Sequence, residues 1–238
     1  MRVGITLPQF RDDAAPAVDA ARRAEEAGLD GVFVFDHLWP LGQPSRPALA
    51  GLPLAAALAA ETTTVAVGTL VARVGVAPDA VLAHALSSLA RIAGPRLVAG
   101  LGIGDHQSRA ENRAYGAPFP PRPARLESLA ALCRRLRADG VTTWAGGRSA
   151  AVAAVARREA DALNLWGAPD EAVAAAAASQ PVTWAGQLDL AAAPPGALGE
   201  RLRAVAAAGA GWAVVAPLGA PWPEAVEALA AAAGALVD

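Results

Sequence analysis

Eight times along the 238 residues, a short apolar run is followed by a stretch of helical character rich in Ala, Arg and Glu. The β-type runs fall at residues 2–8, 31–36, 64–72, 96–104, 141–147, 160–167, 181–190 and 211–219. The helical stretches fall at 13–27, 53–61, 78–90, 122–138, 149–158, 170–178, 198–208 and 223–237. Most of the strand-like runs are nearly continuous in apolar residues, as strands covered on both faces must be. Strict strand–helix alternation predicts a parallel α/β fold. Eight units with nothing left over predict a closed, compact (β/α)8 TIM barrel, one domain over residues 1–238. The hydrophobic fraction of 54% supplies a core for it.

Composition removes several kinds of function. All 20 basic residues are Arg, so Schiff-base chemistry, pyridoxal phosphate and the P-loop lysine are excluded. There is no G-x-S-x-G elbow and no H-x-H or H-E-x-x-H pair for zinc. The net charge of −2 is spread along the chain, so nucleic acid is not an expected partner. Cys133 is the single cysteine, which leaves no internal disulfide and suits a reducing, cytoplasmic setting. The start, MRVGITLPQF, lacks the basic and long apolar regions of a signal peptide, and no run has the length of a membrane span; a soluble protein is expected.

In a barrel of this kind the chemistry gathers at the C-terminal ends of the strands. The second strand, GVFVF, ends on Asp36-His37. That pair reads either as a loop turn with a solvated His or as an acid–base group facing the site. The fourth ends in Gly100-Leu101-Gly102-Ile103-Gly104, followed by Asp105-His106. This is no dinucleotide fingerprint, because the third Gly of G-x-G-x-x-G is missing. It reads either as a tight turn or as backbone that lies against a planar ligand. The fifth ends in Ala145-Gly146-Gly147, with Arg148 and Ser149 opening the next helix. An anion site at the helix N-terminus and a plain turn with a Ser cap fit equally well. Asp36, His37, Asp105 and His106 could surround an ion in principle, but the other strand ends offer no Glu or Asp of similar placement, so no metal site is assigned. His84 falls within a helix, as a surface or packing residue. Trp39, Trp166 and Trp222 near strand ends suit either ring stacking or packing.

Taken together and in this order, the segments EEAGLDGVFVFDHLWP, VAVGTLVARVGVAPDAVLAHALSSLARIAGPRLVAGLGIGD and WAGGRSAAVAAVARREADALNLWG resemble the luciferase-like monooxygenase superfamily. The similarity is greatest to its coenzyme F420-dependent oxidoreductase branch and is clearest over residues 1–170. It implies hydride transfer between F420 and a small organic substrate. His37, with Asp36 beside it, would stand at the redox-active ring. Leu70-Val71 would back that ring, at a bulge where relatives hold a cis peptide bond without proline. Gly102, Ile103 and Gly104 would line the ring and side chain; Ala145, Gly146 and Gly147 would follow the phosphate-bearing tail. Asp105 stands where some relatives carry an acidic proton donor, one methylene shorter than Glu. The alternatives are an FMN-dependent monooxygenase and a flavin-binding barrel without turnover. Relatives are commonly homodimers. They also usually carry insertions that cover the cofactor, whereas here Leu136-Arg137-Ala138-Asp139-Gly140 leads almost directly into Val141.

Overall fold

The computed structural model describes residues 1–192, 194 and 196–236. Eight parallel strands close on themselves in sequence order: β1 (Arg2–Thr6), β2 (Gly31–Val34), β3 (Ala66–Arg73), β4 (Leu97–Gly102), β5 (Thr142–Gly146), β6 (Ala162–Trp166), β7 (Val182–Asp189) and β8 (Ala210–Leu218). β1 pairs with both β2 and β8, so the sheet has no edge. The helices outside it are α1 (Ala15–Glu26), α2 (Gly51–Glu61), α3 (Asp79–Ala93), α5 (Arg122–Ala138), α6 (Ala150–Glu159), α7 (Asp170–Ala177), α8 (Ala197–Ala207) and α9 (Trp222–Gly234). Each lies within a few residues of its expected position. The final residue of the helix expected at 223–237 lies outside the described residues. A further helix, α4 (Ser108–Ala114), sits in the connection after β4, where the sequence reading has none.

The helices form because one face of each is small and apolar at helical spacing. α1 buries Ala17, Ala20, Ala21 and Ala24 and carries Pro in its first turn. α3 buries Leu82, Leu86, Leu89 and Ala93. These faces and the outward-pointing strand residues make the larger core, between sheet and helices. A second, smaller core fills the barrel itself. Phe33, Trp144 and Trp212 meet there, with ring centroids 5.3–5.7 Å apart in stacked and edge-on pairs. This plug seals the lower barrel and leaves the C-terminal strand ends as the open mouth. No helix among the described residues is long and apolar enough to cross a membrane.

Candidate active site at the barrel mouth

A cavity of about 900 Å³ opens at the C-terminal ends of the strands. Its lower wall is built by β3, β4 and β5. The Leu70-Val71 peptide bond is cis, and the β3–β4 register shifts between Thr69 and Ala72 at the same place. The resulting bulge turns Leu70 and Val71 towards the cavity beside Gly102 and Gly146. A side chain at Gly102 would run into Val71 Cγ2, and one at Gly146 would come within 2.8 Å of Val71 Cγ1. The glycines therefore give room first to Val71, and the bare backbone surface facing the cavity comes with that.

Ile103, Gly104 and Gly147 also reach the cavity. Arg125 fixes this ledge from below. Its guanidinium donates to the Ile103 carbonyl and, at 3.0 Å, to the Gly104 carbonyl, while Nε donates to Pro120 O at 3.1 Å. The same guanidinium lies 4.0 Å from the Phe119 ring centroid. Across the mouth, buried Gln9 holds the β2 connection in place. Its Nε2 donates to Phe35 O and Leu49 O at 2.8 and 2.7 Å, and its Oε1 accepts from Phe35 N at 2.7 Å.

Alternation along β2 and its extension decides which of Asp36 and His37 reaches the cavity. Phe33 points inward, Phe35 and His37 follow on the same side, and Asp36 turns away. Asp36 instead accepts from Arg73 N at 2.8 Å, and its backbone carbonyl accepts from Arg73 Nε at 2.7 Å. Burial pushes the Asp36 carboxyl up, against the opposing pull of the Arg73 N–H and guanidinium. The structure thus makes Asp36 a brace for the loop rather than part of the lining.

His37 stands in the lining, and its Nδ1 lies 2.7 Å from Glu111 Oε1. Glu111 comes from α4 and its side chain is 0% exposed. Its other oxygen accepts from Leu38 N at 3.2 Å and lies 2.7 Å from Arg73 Nη2, an ion contact without hydrogen-bond alignment. Burial pushes the Glu111 carboxyl up, but the His37 hydrogen bond and charge, Arg73 and the Leu38 N–H outweigh it, and its pKa is lowered. α4 is itself tied down by Asn112, whose Nδ2 donates to Gly75 O at 3.1 Å and Pro118 O at 2.7 Å.

Asp105 lies at the rim. Its Oδ1 accepts from Gln107 N, Ser108 N and Ser108 Oγ at 2.9–3.1 Å, closing the turn that starts α4. Burial opposes ionisation of Asp105, but these hydrogen bonds outweigh it and lower its pKa. Asp105 Oδ1 is thus taken up by the turn, whereas the His37 ring lines the cavity. Ala145 is fully buried in the core between sheet and helices, since Trp144 and Gly146 take the inward positions of β5; it lies outside the lining. Ser149 caps α6 by accepting from Val152 N at 3.3 Å, and it lines the mouth together with Arg148. Trp166 and Trp222 reach the cavity, whereas Trp39 packs on Tyr115 at 5.9 Å. His84 and His106 are exposed and outside it. Among the described residues, no three His, Cys, Asp or Glu side chains are grouped to hold a metal. Among the described residues, Arg11, Arg46, Arg122 and Arg148 line the mouth with Asp105 as the lining carboxylate, while the guanidinium of Arg73 is paired with buried Glu111.

The sequence profile of the luciferase-like monooxygenase family matches residues 1–211. The chain belongs to that family. Among its relatives are two proteins named F420-dependent glucose-6-phosphate dehydrogenase. The one from Intrasporangium calvum is 32% identical over 133 residues, 54% of this chain and 40% of the relative. The one from Beutenbergia cavernae is 36% identical over 129 residues, 52% of this chain and 35% of the relative. The matched part thus spans well under half the length of these curated relatives. In fold, the chain is similar to an F420-dependent secondary alcohol dehydrogenase solved with an F420–acetone adduct. That match has a TM-score of 0.81 and 14% identity and covers 100% of this chain and 99% of the other. The luciferase-like family signature in this chain thus coincides with a mouth whose His37 is held by a buried carboxylate. Glu111, Arg73, Gln9 and Arg125 are the positioning residues that strand-end reading missed. The signal for Glu111 was Asp105, whose side chain accepts from Gln107 N and Ser108 N in the turn that precedes the helix start at Ser108.

Proposed function

We propose that this chain is an oxidoreductase that passes a hydride between the deazaflavin coenzyme F420 and the hydroxyl-bearing carbon of a small organic substrate. The observation that carries the reading is His37, seated in a glycine-floored, arginine-lined mouth with one ring nitrogen held and the other left for the cavity. The fit to F420 is chemical. The Val71, Gly102 and Gly146 surface offers a low wall to a flat ring, and the excess of arginine suits an anionic tail. The N-terminus of α6, with Arg148 and Ser149, is the place for a phosphate of that tail. The names of the relatives point to the same cofactor.

When bound, the deazaflavin supplies a two-electron hydride carrier. The chain's own residues do the rest. Leu70 and Val71 would back the ring, and Ile103, Gly104 and Gly147, which line the same cavity, would border it. Phe35 and Trp166, whose rings meet edge-on at 5.7 Å, exclude water from the substrate side. His37 Nε2 takes or returns the proton of the substrate's hydroxyl group. The assembly proposed with this reading is a cytoplasmic homodimer, which light scattering checks.

The test mixes purified protein with oxidised F420 and a panel of secondary alcohols and sugar phosphates, and follows loss of the deazaflavin absorbance. Substrate-dependent reduction is expected, and His37→Ala should lower kcat by roughly 10²–10⁴-fold. Turnover that survives His37→Ala unchanged, or turnover with FMN and oxygen in place of F420, contradicts the proposal.

A further inference from the structure

We infer that Glu111 is the positioning residue that sets the tautomer of His37, holding the proton on Nδ1 so that Nε2 faces the cavity as a proton acceptor. The inference rests on the hydride-transfer reading for its purpose, but its geometry stands without a cofactor. Glu111 Oε1 is 2.7 Å from His37 Nδ1, and Glu111 has no exposed surface. An ionised carboxylate can only accept, so the neutral imidazole must donate from Nδ1. The proton then cannot be on Nε2, the nitrogen left for the cavity. The opposite tautomer would place a lone pair of Nδ1 against a buried carboxylate oxygen.

The carboxylate is kept ionised and in place from its far side. Leu38 N–H donates to Oε2 at 3.2 Å, and the Arg73 guanidinium lies 2.7 Å from the same atom. Arg73 is 4% exposed and is itself held by Asp36 and by Asn112 Oδ1 at 3.4 Å. Four groups from three elements (Asp36 after β2, and buried Arg73 on β3 with buried Glu111 and Asn112 on α4) thus form a linked chain ending at one imidazole nitrogen. Second partners of this kind fix the catalytic form of a histidine in unrelated active sites.

With this tautomer the reaction has a defined direction of proton flow. In oxidation of an alcohol, the hydroxyl O–H proton goes to His37 Nε2. A bound deazaflavin would accept the hydride from the hydroxyl-bearing carbon, whose C–O bond would become the carbonyl. Reduction of a carbonyl runs the same transfers backwards.

Glu111→Gln tests the inference sharply. The amide oxygen should keep the Leu38 and Arg73 side, because both are donors, which turns the amide NH2 towards His37 Nδ1. Nδ1 must then accept, and the proton moves to Nε2. Long-range ¹⁵N–¹H correlation on the cofactor-free protein, with the His37 ring neutral, reads the tautomer directly. Wild type should show protonated Nδ1 and Glu111→Gln protonated Nε2. F420-dependent kcat should fall about 10²–10⁴-fold in the variant with KM changed only a few-fold, and Glu111→Asp should restore part of it. A wild-type spectrum with the proton on Nε2 overturns the inference, as does an unchanged tautomer in the variant. Should Glu111→Gln not fold, the wild-type spectrum decides alone. Should wild type fail to reduce with F420, the hydride-transfer reading falls while the tautomer is still settled by the spectrum.

Discussion

A Cβ on Gly102 would run into Val71, and a Cβ on Gly100 would run into the Thr69 carbonyl oxygen. The two clashes differ in kind. A side chain can be trimmed, but a strand carbonyl cannot move without its ladder. Gly102→Ala should therefore cost about 1–3 kcal/mol, and Val71→Ala added to it should recover much of the loss. Gly100→Ala should cost at least as much, and the same second change should leave it unrelieved. Urea melts of the four variants measure both. The glycines were legible in GLGIG as a place of close approach, but the sequence left open what approaches. The immediate neighbour is Val71, displaced by a bulge that no local pattern announces. Side-chain parity was readable and decides two other positions. With Trp144 inward, Ala145 must face out; with Phe35 and His37 inward, Asp36 must face out.

At the scale of elements, the eight strand–helix units were readable because each buried face repeats with its own period. α4 was not, because Ser108–Ala114 is short and polar and buries Ser108, Glu111 and Asn112 rather than an apolar stripe. Its reason for folding lies in what those side chains hold together, which is tertiary information. A second polar anchor shows the same principle away from the mouth. Glu25 on α1 accepts from Thr63 N at 2.8 Å, Thr64 Oγ at 2.8 Å and Val65 N at 3.0 Å, tying the α2–β3 connection to α1. Burial pushes this carboxyl up, but the hydrogen bonds from Thr64, Val65 and Thr63 outweigh it, and its pKa falls from the ordinary 4.5 to about 2. A carboxylate with a lowered folded pKa stabilises fully above its unfolded value and ceases to do so as the pH falls through the folded one. Glu25→Gln should lose on the order of 1 kcal/mol at neutral pH, after allowing for solvent screening at this partly exposed site. The gap between variant and wild type should close between about pH 4.5 and pH 2. Chemical denaturation at a series of pH values across that window checks it.

At the scale of the whole molecule, the barrel separates two tasks. The Phe33, Trp144 and Trp212 plug and the surrounding helices hold the strands, while the mouth above them is free to be polar, cationic and glycine-floored. The family resemblance and the fold were readable together, since both rest on the order of motifs at successive strand ends. The electrostatic character of the mouth was not. Arg11, Arg46, Arg122 and Arg148 are scattered through the chain and converge only when the barrel closes. That convergence, in a mouth that His37 also lines, supports the proposal of a flat, anionic redox cofactor for this site. The most direct test is an equilibrium titration of the purified chain with oxidised F420, read by deazaflavin fluorescence, with FMN as the competing ligand. The account predicts saturable binding of one F420 per chain, weakened tenfold or more by Arg148→Ala and not displaced by equimolar FMN. Absence of saturable F420 binding, or its ready displacement by FMN, would contradict it.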